Sequence, residues 1–292
     1  MAWTLSAFAD EAGTPLDAQI HALKLANYNY IDLRNIDLDG TMYNITELPL
    51  ELADGIRAKL DEAGIAVNMF GSPIGKIDIT DDFEVDMAKL RHLGALREPL
   101  GCNLVRLFSY YNKTERSLDQ WQQEAVDRLK RLADEADRLG LELYHENEKR
   151  IFGDRCEQVM VLADQLRDNG PFKLIFDFDN FNQSGDDVWD NWMKLREKTD
   201  AFHLKDSNSQ NMHVPIGHGN GQARKILADA LANGWQGPLT LEPHLSRSEA
   251  VLATGAHGQQ NQDLSNLTGE ECFNVAAVIA LELLQDIGAP VR

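Results

Sequence analysis

Short apolar runs alternate with longer amphipathic stretches from one end of the chain to the other. Eight apolar runs predict strands, at residues 4–9, 30–34, 66–71, 104–109, 142–146, 173–177, 201–204 and 239–242. Eight amphipathic stretches predict helices, at residues 15–25, 49–63, 83–97, 117–139, 154–167, 187–198, 223–233 and 269–287. Eight strand–helix units in 292 residues predict an α/β fold of the closed (β/α)8 TIM-barrel type.

An open, doubly wound sheet is the alternative fold. It would require a glycine-rich turn after its first strand, whereas the residues there read SAFADEAGTP. No linker rich in Pro, Gly or Ser divides the chain, so residues 1–292 are expected to form one domain. Pro99 is expected to close the third helix, because the residue before a proline disfavours helical backbone. The polar stretch 245–268 is expected to be either a lid over the barrel mouth or a disordered insertion.

Acidic residues outnumber basic ones, 47 against 28, which gives a net charge of −19. Such a surface repels phosphate backbones, so nucleic acid is not an expected partner. Cys102, Cys156 and Cys272 lack any metal-binding spacing, which indicates reduced thiols. No signal peptide is recognisable, and no run approaches the roughly 18 apolar residues of a membrane span. We therefore expect a soluble cytoplasmic protein with no membrane partner. Barrels often form homo-oligomers, although no interface can be identified.

The last four predicted strands end in carboxylates or an imidazole, at Glu146, Asp177, His203 and Glu242. Their intervals of 31, 26 and 39 residues (177−146, 203−177 and 242−203) are each close to one strand–helix repeat. A carboxylate at the end of a buried strand is costly unless it is paired, hydrogen-bonded or bound to a cation. Four such groups at one barrel mouth predict a site for one divalent ion, Mn²⁺ first, with Mg²⁺, Co²⁺ and Zn²⁺ as alternatives. The other interpretation of each carboxylate is a helix cap or a salt-bridge partner.

At these residues the sequence resembles the xylose-isomerase-like sugar isomerases and epimerases, a TIM-barrel family that includes D-tagatose 3-epimerase and hydroxypyruvate isomerase. The resemblance extends over nearly the whole chain. It is carried by SAFADE at 6–11, SPIGKI at 72–77, RLFSYY at 106–111, FDFDNF at 176–181, HLKD at 203–206, PIGHGNG at 215–221 and LEPHL at 241–245.

This resemblance implies that Glu146, Asp177, His203 and Glu242 hold the ion. It favours Asp177 over Asp179, because the aspartate of the family directly follows the apolar run of its strand. It also implies that Glu146 and Glu242 act as acid and base on the carbon beside a carbonyl, through an enediolate that the metal stabilises.

The chain also departs from the tagatose-type epimerases. They place a histidine three residues after the metal aspartate, where this chain has Asn180. They also carry an arginine shortly after the metal histidine, whereas this chain reads HLKDSNSQNMH. The resemblance therefore leaves the substrate open, including whether it is phosphorylated.

Six residues near the predicted mouth are candidates for binding the substrate, and each has a structural alternative such as an internal ion pair or an exposed loop position. They are Lys76, Arg106, Asn180, Lys205, His213 and His244. Glu148 is expected to be a solvated loop carboxylate. The glycines at 217, 219 and 221 form either a phosphate cradle or a simple flexible turn.

The function that these features favour is isomerisation or epimerisation of a small sugar or sugar-like hydroxyketone, so a small carbohydrate is the expected partner. A lyase that cleaves oxidised (keto) glycosides could use the same proton abstraction. A phosphoester hydrolase of the apurinic endonuclease type would require further metal ligands and a basic surface. A barrel that only binds its ligand would be expected to lack one of the four ligands, and all four are present.

Overall fold

The computed structural model describes residues 2–246, 264 and 266–292. Within them, each of the eight predicted strands is present. The strands are β1 Thr4–Ala7, β2 Tyr30–Leu33, β3 Ala66–Phe70, β4 Leu104–Leu107, β5 Glu142–Glu146, β6 Phe172–Asp177, β7 Ala201–Leu204 and β8 Pro238–Leu241.

The strands form one parallel sheet that curls into a nearly closed barrel. Hydrogen-bonded neighbours follow the chain order from β2 to β8, and β8 pairs with β1. Strands β1 and β2 also lie side by side, although no ladder joins them among the described residues. All the strands therefore direct their carboxyl ends to the same mouth, where TIM-barrel sites lie. The predicted TIM barrel is confirmed.

Helices cover the outside of the sheet. Their bounds are α1 Leu16–Leu25, α2 Ala53–Ala63, α3 Glu84–Leu100, α4 Leu118–Leu139, α5 Cys156–Leu166, α6 Phe178–Gln183, α7 Val188–Leu195, α8 Ala223–Ala232 and α9 Gly269–Asp286. Helix α4 begins with a reciprocal capping box between Ser117 and Gln120 and ends at Gly140, whose φ is +68°. The short helix α6 had no counterpart in the prediction.

The prediction that Pro99 closes the third helix was wrong. Helix α3 continues through Pro99 to Leu100, and Gly101 ends it with φ +66°. A proline in the last turn removes only one backbone hydrogen bond, and its fixed φ is compatible with helical backbone. Gly101 ends the helix because it adopts the left-handed conformation at little cost.

Two short hairpins and three cross-linked loops surround the mouth. One hairpin, Asn35–Leu38 with Thr41–Asn44, follows β2, and the other joins Asp206–Ser207 to His213–Val214 after β7. Isolated bridges join the loops that follow β3, β4 and β5, by pairing Tyr111 with both Asp78 and Ile151. Backbone pairing between neighbouring loops therefore fixes the conformation of the chain around the mouth.

Inside the barrel, a buried carboxylate on β2 is fully hydrogen-bonded. Asp32 accepts hydrogen bonds from Ser6 Oγ at 2.6 Å, Asn68 Nδ2 at 2.7 Å and Thr240 Oγ1 at 2.8 Å. These donors come from three other strands, so the network ties neighbouring strands together without an ion.

Two further expectations concern the chain as a whole. Residues 247–263 and 265 lie outside the described residues, so the expectation of a lid at 245–268 stays a prediction; within that stretch, Leu245 and Ser246 are buried. No helix in the described part of the chain is both long and apolar enough to cross a membrane.

Candidate metal centre

The four side chains predicted as ligands converge at the mouth of the barrel. Ligand atoms of Glu146, Asp177, His203 and Glu242 all lie within 4.8 Å of one another, and all four residues are buried. Each comes from the end of a strand in the half of the barrel formed by β5 to β8. Parallel strands bring these positions together because their carboxyl ends share one rim.

The donor atoms at the middle of this cluster suit a cation. His203 Nδ1 lies 3.2 Å from Glu146 Oε1 and 3.2 Å from Glu242 Oε2. This nitrogen lies between the two carboxylates but forms no well-aligned hydrogen bond with either. Glu242 Oε2 likewise has no hydrogen-bond partner among the described residues. Buried polar atoms without such a bond each cost about 1–3 kcal/mol. A divalent cation would satisfy them, and carboxylates with one imidazole are ligands suited to Mn²⁺, Mg²⁺ or Zn²⁺.

The charges of the cluster depend on one another. Burial lowers the pKa of His203, but the carboxylates of Glu146 and Glu242 outweigh burial and raise it to about 9. Burial raises the pKa of Glu146, but His203 and Arg106 outweigh it, so the pKa falls below its ordinary value. For Asp177, burial prevails over the attraction of Lys205, and the pKa is raised. Without an ion, proton uptake by His203 therefore compensates part of the buried negative charge.

The two oxygens of Asp177 have different surroundings: one forms a helix cap, and the other faces the candidate metal site. Its Oδ1 accepts a hydrogen bond from Asn180 N at 2.8 Å and so caps helix α6. Its Oδ2 faces the cluster, 3.9 Å from His203 Nδ1. Asn180 Nδ2 in turn donates to Glu146 Oε1 at 3.2 Å and to the Asn147 carbonyl at 2.9 Å. The cap thus orients two of the candidate ligands.

Two arginines hold the outer oxygens of the glutamates. Arg106 Nη1 lies 3.2 Å from Glu146 Oε2 and 3.5 Å from Glu242 Oε1. Arg34, at the end of β2, donates to Glu242 Oε1 at 2.7 Å and forks onto both oxygens of Asp10 at 2.9 Å. Each glutamate therefore directs one oxygen to the cluster and the other to an arginine.

Lys205 is buried beside the ligands. Its Nζ lies 3.0 Å from Asp177 Oδ2, 3.6 Å from Glu242 Oε2 and 3.9 Å from Glu146 Oε1. Burial lowers the pKa of Lys205, but Asp177 and the glutamates outweigh it and raise the pKa well above its ordinary value. The amine therefore stays charged at the edge of the site.

A cavity of about 690 Å³ opens above the cluster. This volume falls within the roughly 300–1,000 Å³ of small-molecule sites. The six residues predicted to contact substrate all line it; they are Lys76, Arg106, Asn180, Lys205, His213 and His244. The structure therefore brings these residues to one cavity, and their contact with a substrate stays a prediction.

Two histidines line one wall of the cavity. His213 Nδ1 lies 3.3 Å from Asp179 Oδ2, and the rings of His213 and His244 meet edge-to-face with centroids 5.3 Å apart. The Nδ1 atom of His244 lies 2.8 Å from Glu11 Oε1, and its Nε2 lies 3.8 Å from Glu242 Oε1. The structural alternative for His213, an exposed loop histidine, is wrong, since the residue is 5% exposed.

The glycine-rich turn is organised around a carboxylate, not around a phosphate. Asp206 accepts backbone hydrogen bonds from Gly217 and Gly219 at 3.0 Å and from Gly221 at 2.9 Å. A Cβ at Gly219 would lie 2.3 Å from Asp206 Oδ1, so the close approach requires glycine. The Asp206 carboxylate thus occupies the three N–H groups that a phosphate would need.

Several residues of the site were missed from the sequence. Glu148 was expected in solvent, but it lines the cavity and pairs with Lys76 Nζ at 3.0 Å. Arg34 and Glu11 were not identified as site residues at all. Arg34 ends β2 in the way that the ligands end their strands, so applying the same criterion to the first half of the barrel would have found it.

Comparison with known proteins agrees with this architecture. The family model described as a xylose isomerase-like TIM barrel matches residues 20–263. A comparison with curated protein sequences gave no match.

Solved structures share the fold at low sequence identity. L-ribulose 3-epimerase aligns with a TM-score of 0.73 at 17% identity, covering 98% of this chain and 96% of the epimerase. The 3-keto-D-glucoside 4-epimerase from E. coli aligns at 0.69 and 15% identity, covering 97% and 99%. The IOLI protein, solved with a bound zinc atom, aligns at 0.70 and 15% identity, covering 97% and 99%. At these identities the likeness shows the fold alone.

Proposed function

The chain belongs to the family of xylose isomerase-like TIM barrels, and on that premise we propose that it is a divalent-metal-dependent isomerase or epimerase. Its proposed substrate is a small sugar or sugar-like hydroxyketone. One observation carries the proposal: three carboxylates and an imidazole from successive strand ends lie within 4.8 Å of one another below a polar cavity. We propose Mn²⁺ as the ion, with Mg²⁺, Co²⁺ and Zn²⁺ as alternatives, held by Glu146, Asp177, His203 and Glu242.

Both reactions begin with removal of a weakly acidic proton from the carbon beside a carbonyl. A bound divalent ion supplies Lewis-acid polarisation of that carbonyl. Glu146 and Glu242 can each act as the base, because the pKa of each carboxyl is lowered. At Glu146, the charges of His203 and Arg106 outweigh burial. At Glu242, Lys205 and His203 do the same. One glutamate takes the proton, and the other, after it has taken up a proton from solvent, returns that proton on the opposite side of the substrate.

The remaining polar groups hold these bases and the substrate oxygens. Arg106 fixes one oxygen of each glutamate, and Asn180 fixes the other oxygen of Glu146. Lys205 can donate to a substrate oxygen on which negative charge develops, because its amine is charged and lines the cavity. These donors are preorganised in a buried site, where electrostatic stabilisation is strongest.

A lyase acting on oxidised (keto) glycosides is the second candidate. Elimination starts with the same proton abstraction but also requires an acid that protonates the departing oxygen. The position of His213 favours this candidate. Its Nδ1 faces Asp179 at 3.3 Å while the residue lines the cavity, which is how an imidazole is oriented for proton transfer.

Solvent hydrogen exchange tests the proposal. The metal-loaded protein is incubated in D₂O with free ketoses and with keto-glycosides, and deuterium at the carbon beside the carbonyl is followed by NMR. The proposal expects exchange that stops with EDTA and returns with added ion. Glu146→Gln and Glu242→Gln should each lower the rate by about 10²–10⁴-fold with an unchanged circular dichroism spectrum, and Lys130→Gln, on the outer helix α4, is the control. Full activity in both glutamine variants would refute the assignment, and aglycone release from keto-glycosides would support the lyase.

The proposal also covers the compartment, the domain organisation and the partner of the protein. The three cysteines are free and buried, as expected for reduced thiols. We propose a cytoplasmic enzyme of one domain, spanning residues 1–292, that acts on a small carbohydrate. The charge of −19 argues against nucleic acid.

A further inference from the structure

The cavity differs in charge from the rest of the molecule. Seven cationic and four anionic side chains line it, an excess of three positive charges, whereas the whole chain carries −19. A divalent ion at the base of the cavity would add two more positive charges. Behind this lining, Asp10 and Glu11 contact Arg34 and Asp177 contacts Lys205, so the positive charge left for a small anion lies at the rim of the cavity.

The cations near the centre of the site already have carboxylate partners. Arg34 and Arg106 contact Glu242, and Lys205 lies 3.0 Å from Asp177. At the rim, Lys76 pairs with Glu148. These cations balance charges that the protein itself has buried.

Three other rim cations lack such partners. Within residues 2–246, 264 and 266–292, no carboxylate lies within 4.0 Å of the charged groups of Lys113, Lys149 or Arg150. Lys149 Nζ donates to a neutral oxygen, Gln183 Oε1, at 2.6 Å, and Lys113 Nζ lies 5.5 Å from the centre of the Tyr111 ring. Because no close carboxylate among the described residues pairs with these three cations, their charge remains available to an anionic ligand in the cavity.

The backbone holds these three residues in place. Lys113 N donates to Asp78 Oδ2 at 2.6 Å, across two loops that a bridge between Asp78 and Tyr111 also joins. The next bridge, from Tyr111 to Ile151, fixes the loop that carries Lys149 and Arg150. Arg150 has φ +70°, an unfavourable value that only a well-fixed loop maintains. Backbone contacts therefore fix the loops that carry the three rim cations.

We propose that Lys113, Lys149 and Arg150 form a subsite for an anionic group at the end of the substrate remote from the reacting carbon. The group is a phosphate ester or a carboxylate, both of which accept charge-assisted hydrogen bonds from lysine and arginine. The inference rests on the proposed function for the identity of the substrate as a sugar. A polyanion such as nucleic acid does not fit, because the overall charge repels it while the cavity admits a small molecule.

Binding by the full-length, Mg²⁺-loaded protein tests the subsite independently of turnover. Calorimetry compares D-fructose, D-fructose 6-phosphate and D-fructuronate, which differ only at carbon 6, and inorganic phosphate serves as a probe without a sugar. The variant is Lys113→Gln/Lys149→Gln/Arg150→Gln. The matched control is Lys24→Gln/Lys130→Gln/Lys173→Gln, which removes three charges outside the cavity lining.

We expect at least one charged sugar to bind about tenfold or more tightly than D-fructose. The preference, and phosphate binding, should disappear in the rim variant and persist in the control. Tighter binding of the phosphate or of the carboxylate identifies the group.

Equal affinities for charged and neutral ligands in the unmodified protein would overturn the subsite, as would a preference that survives in the rim variant. Deuterium exchange separates this outcome from failure of the proposed function. Exchange without an anion preference refutes only the subsite, and an anion preference without exchange refutes only the reaction.

Discussion

Removal of the Lys205 charge is expected to make the protein depend on its ion for stability. The side chain is 4% exposed, and its Nζ lies 3.0 Å from Asp177 Oδ2 and 3.6 Å from Glu242 Oε2. Loss of one partner from a buried ion pair costs about 3–5 kcal/mol, because the other charge is left uncompensated. Metal-free Lys205→Met should lose that much stability. At about 2–4 °C per kcal/mol for chains of 150–250 residues, the midpoint of thermal unfolding should fall by roughly 6–20 °C.

A divalent ion should reverse this loss. It places positive charge among the same carboxylates, and in the Lys205→Met variant no ammonium repels it. A saturating ion is therefore expected to raise the unfolding midpoint of Lys205→Met more than that of the unmodified protein, and the dissociation constant of the ion should be lower in the variant. Thermal unfolding followed by circular dichroism, with EDTA and then with increasing Mn²⁺, measures both effects.

Lys130→Met is the matched control, because Lys130 is exposed on helix α4. It should change the midpoint little in either condition. Equal midpoints for metal-free Lys205→Met and the unmodified protein would refute the reasoning. So would equal stabilisation of the two proteins by the ion, because Lys205 and the ion would then not share the same carboxylates.

Four further predictions concern three single groups, His203, Asp206 and His145. The carboxylates raise the pKa of His203 to about 9, so the affinity for the ion should fall as the pH decreases from 9 towards 6.5. Calorimetry in two buffers at pH 8 should detect the proton that His203 releases when the ion binds. Binding without proton release would contradict this prediction. In the metal-free protein, the stabilisation from charged His203 should be complete below pH 6.5 and lost as the pH rises through 9. Asp206→Asn should cost about 1–3 kcal/mol in urea unfolding for each backbone N–H that it leaves unsatisfied, and an unchanged free energy would contradict the role of Asp206. Burial lowers the pKa of His145 to about 3, so stability should fall as the pH drops from 6.5 towards 3, and His145→Phe should weaken that dependence.

The barrel and the convergence of the four predicted ligands could be predicted because both follow from the strand pattern. A parallel barrel places every strand end on one rim, so Glu146, Asp177, His203 and Glu242 needed only correct strand ends to meet. Asp177 also caps helix α6, and no local pattern separates that role from the proposed ion binding, because one carboxylate oxygen forms the cap while the other faces the cluster.

The partners of these residues could not be predicted, because they depend on distances between remote segments. The pairing of Arg34 with Glu242 joins residues 208 positions apart, and that of Lys76 with Glu148 joins residues 72 apart. The glycine-rich turn was ambiguous for the same reason. Its N–H groups could serve a phosphate or a side chain, and only the position of Asp206 decides between them.

The anomalous scattering of a crystal grown with Mn²⁺ tests the central claim most directly. The account predicts one strong peak bonded to carboxylate oxygens of Glu146, Asp177 and Glu242 and to a ring nitrogen of His203, and loss of the peak in a His203→Ala crystal. A Mn²⁺ ion bound elsewhere, with these four side chains still paired only to each other and to Lys205 and the arginines, would contradict it.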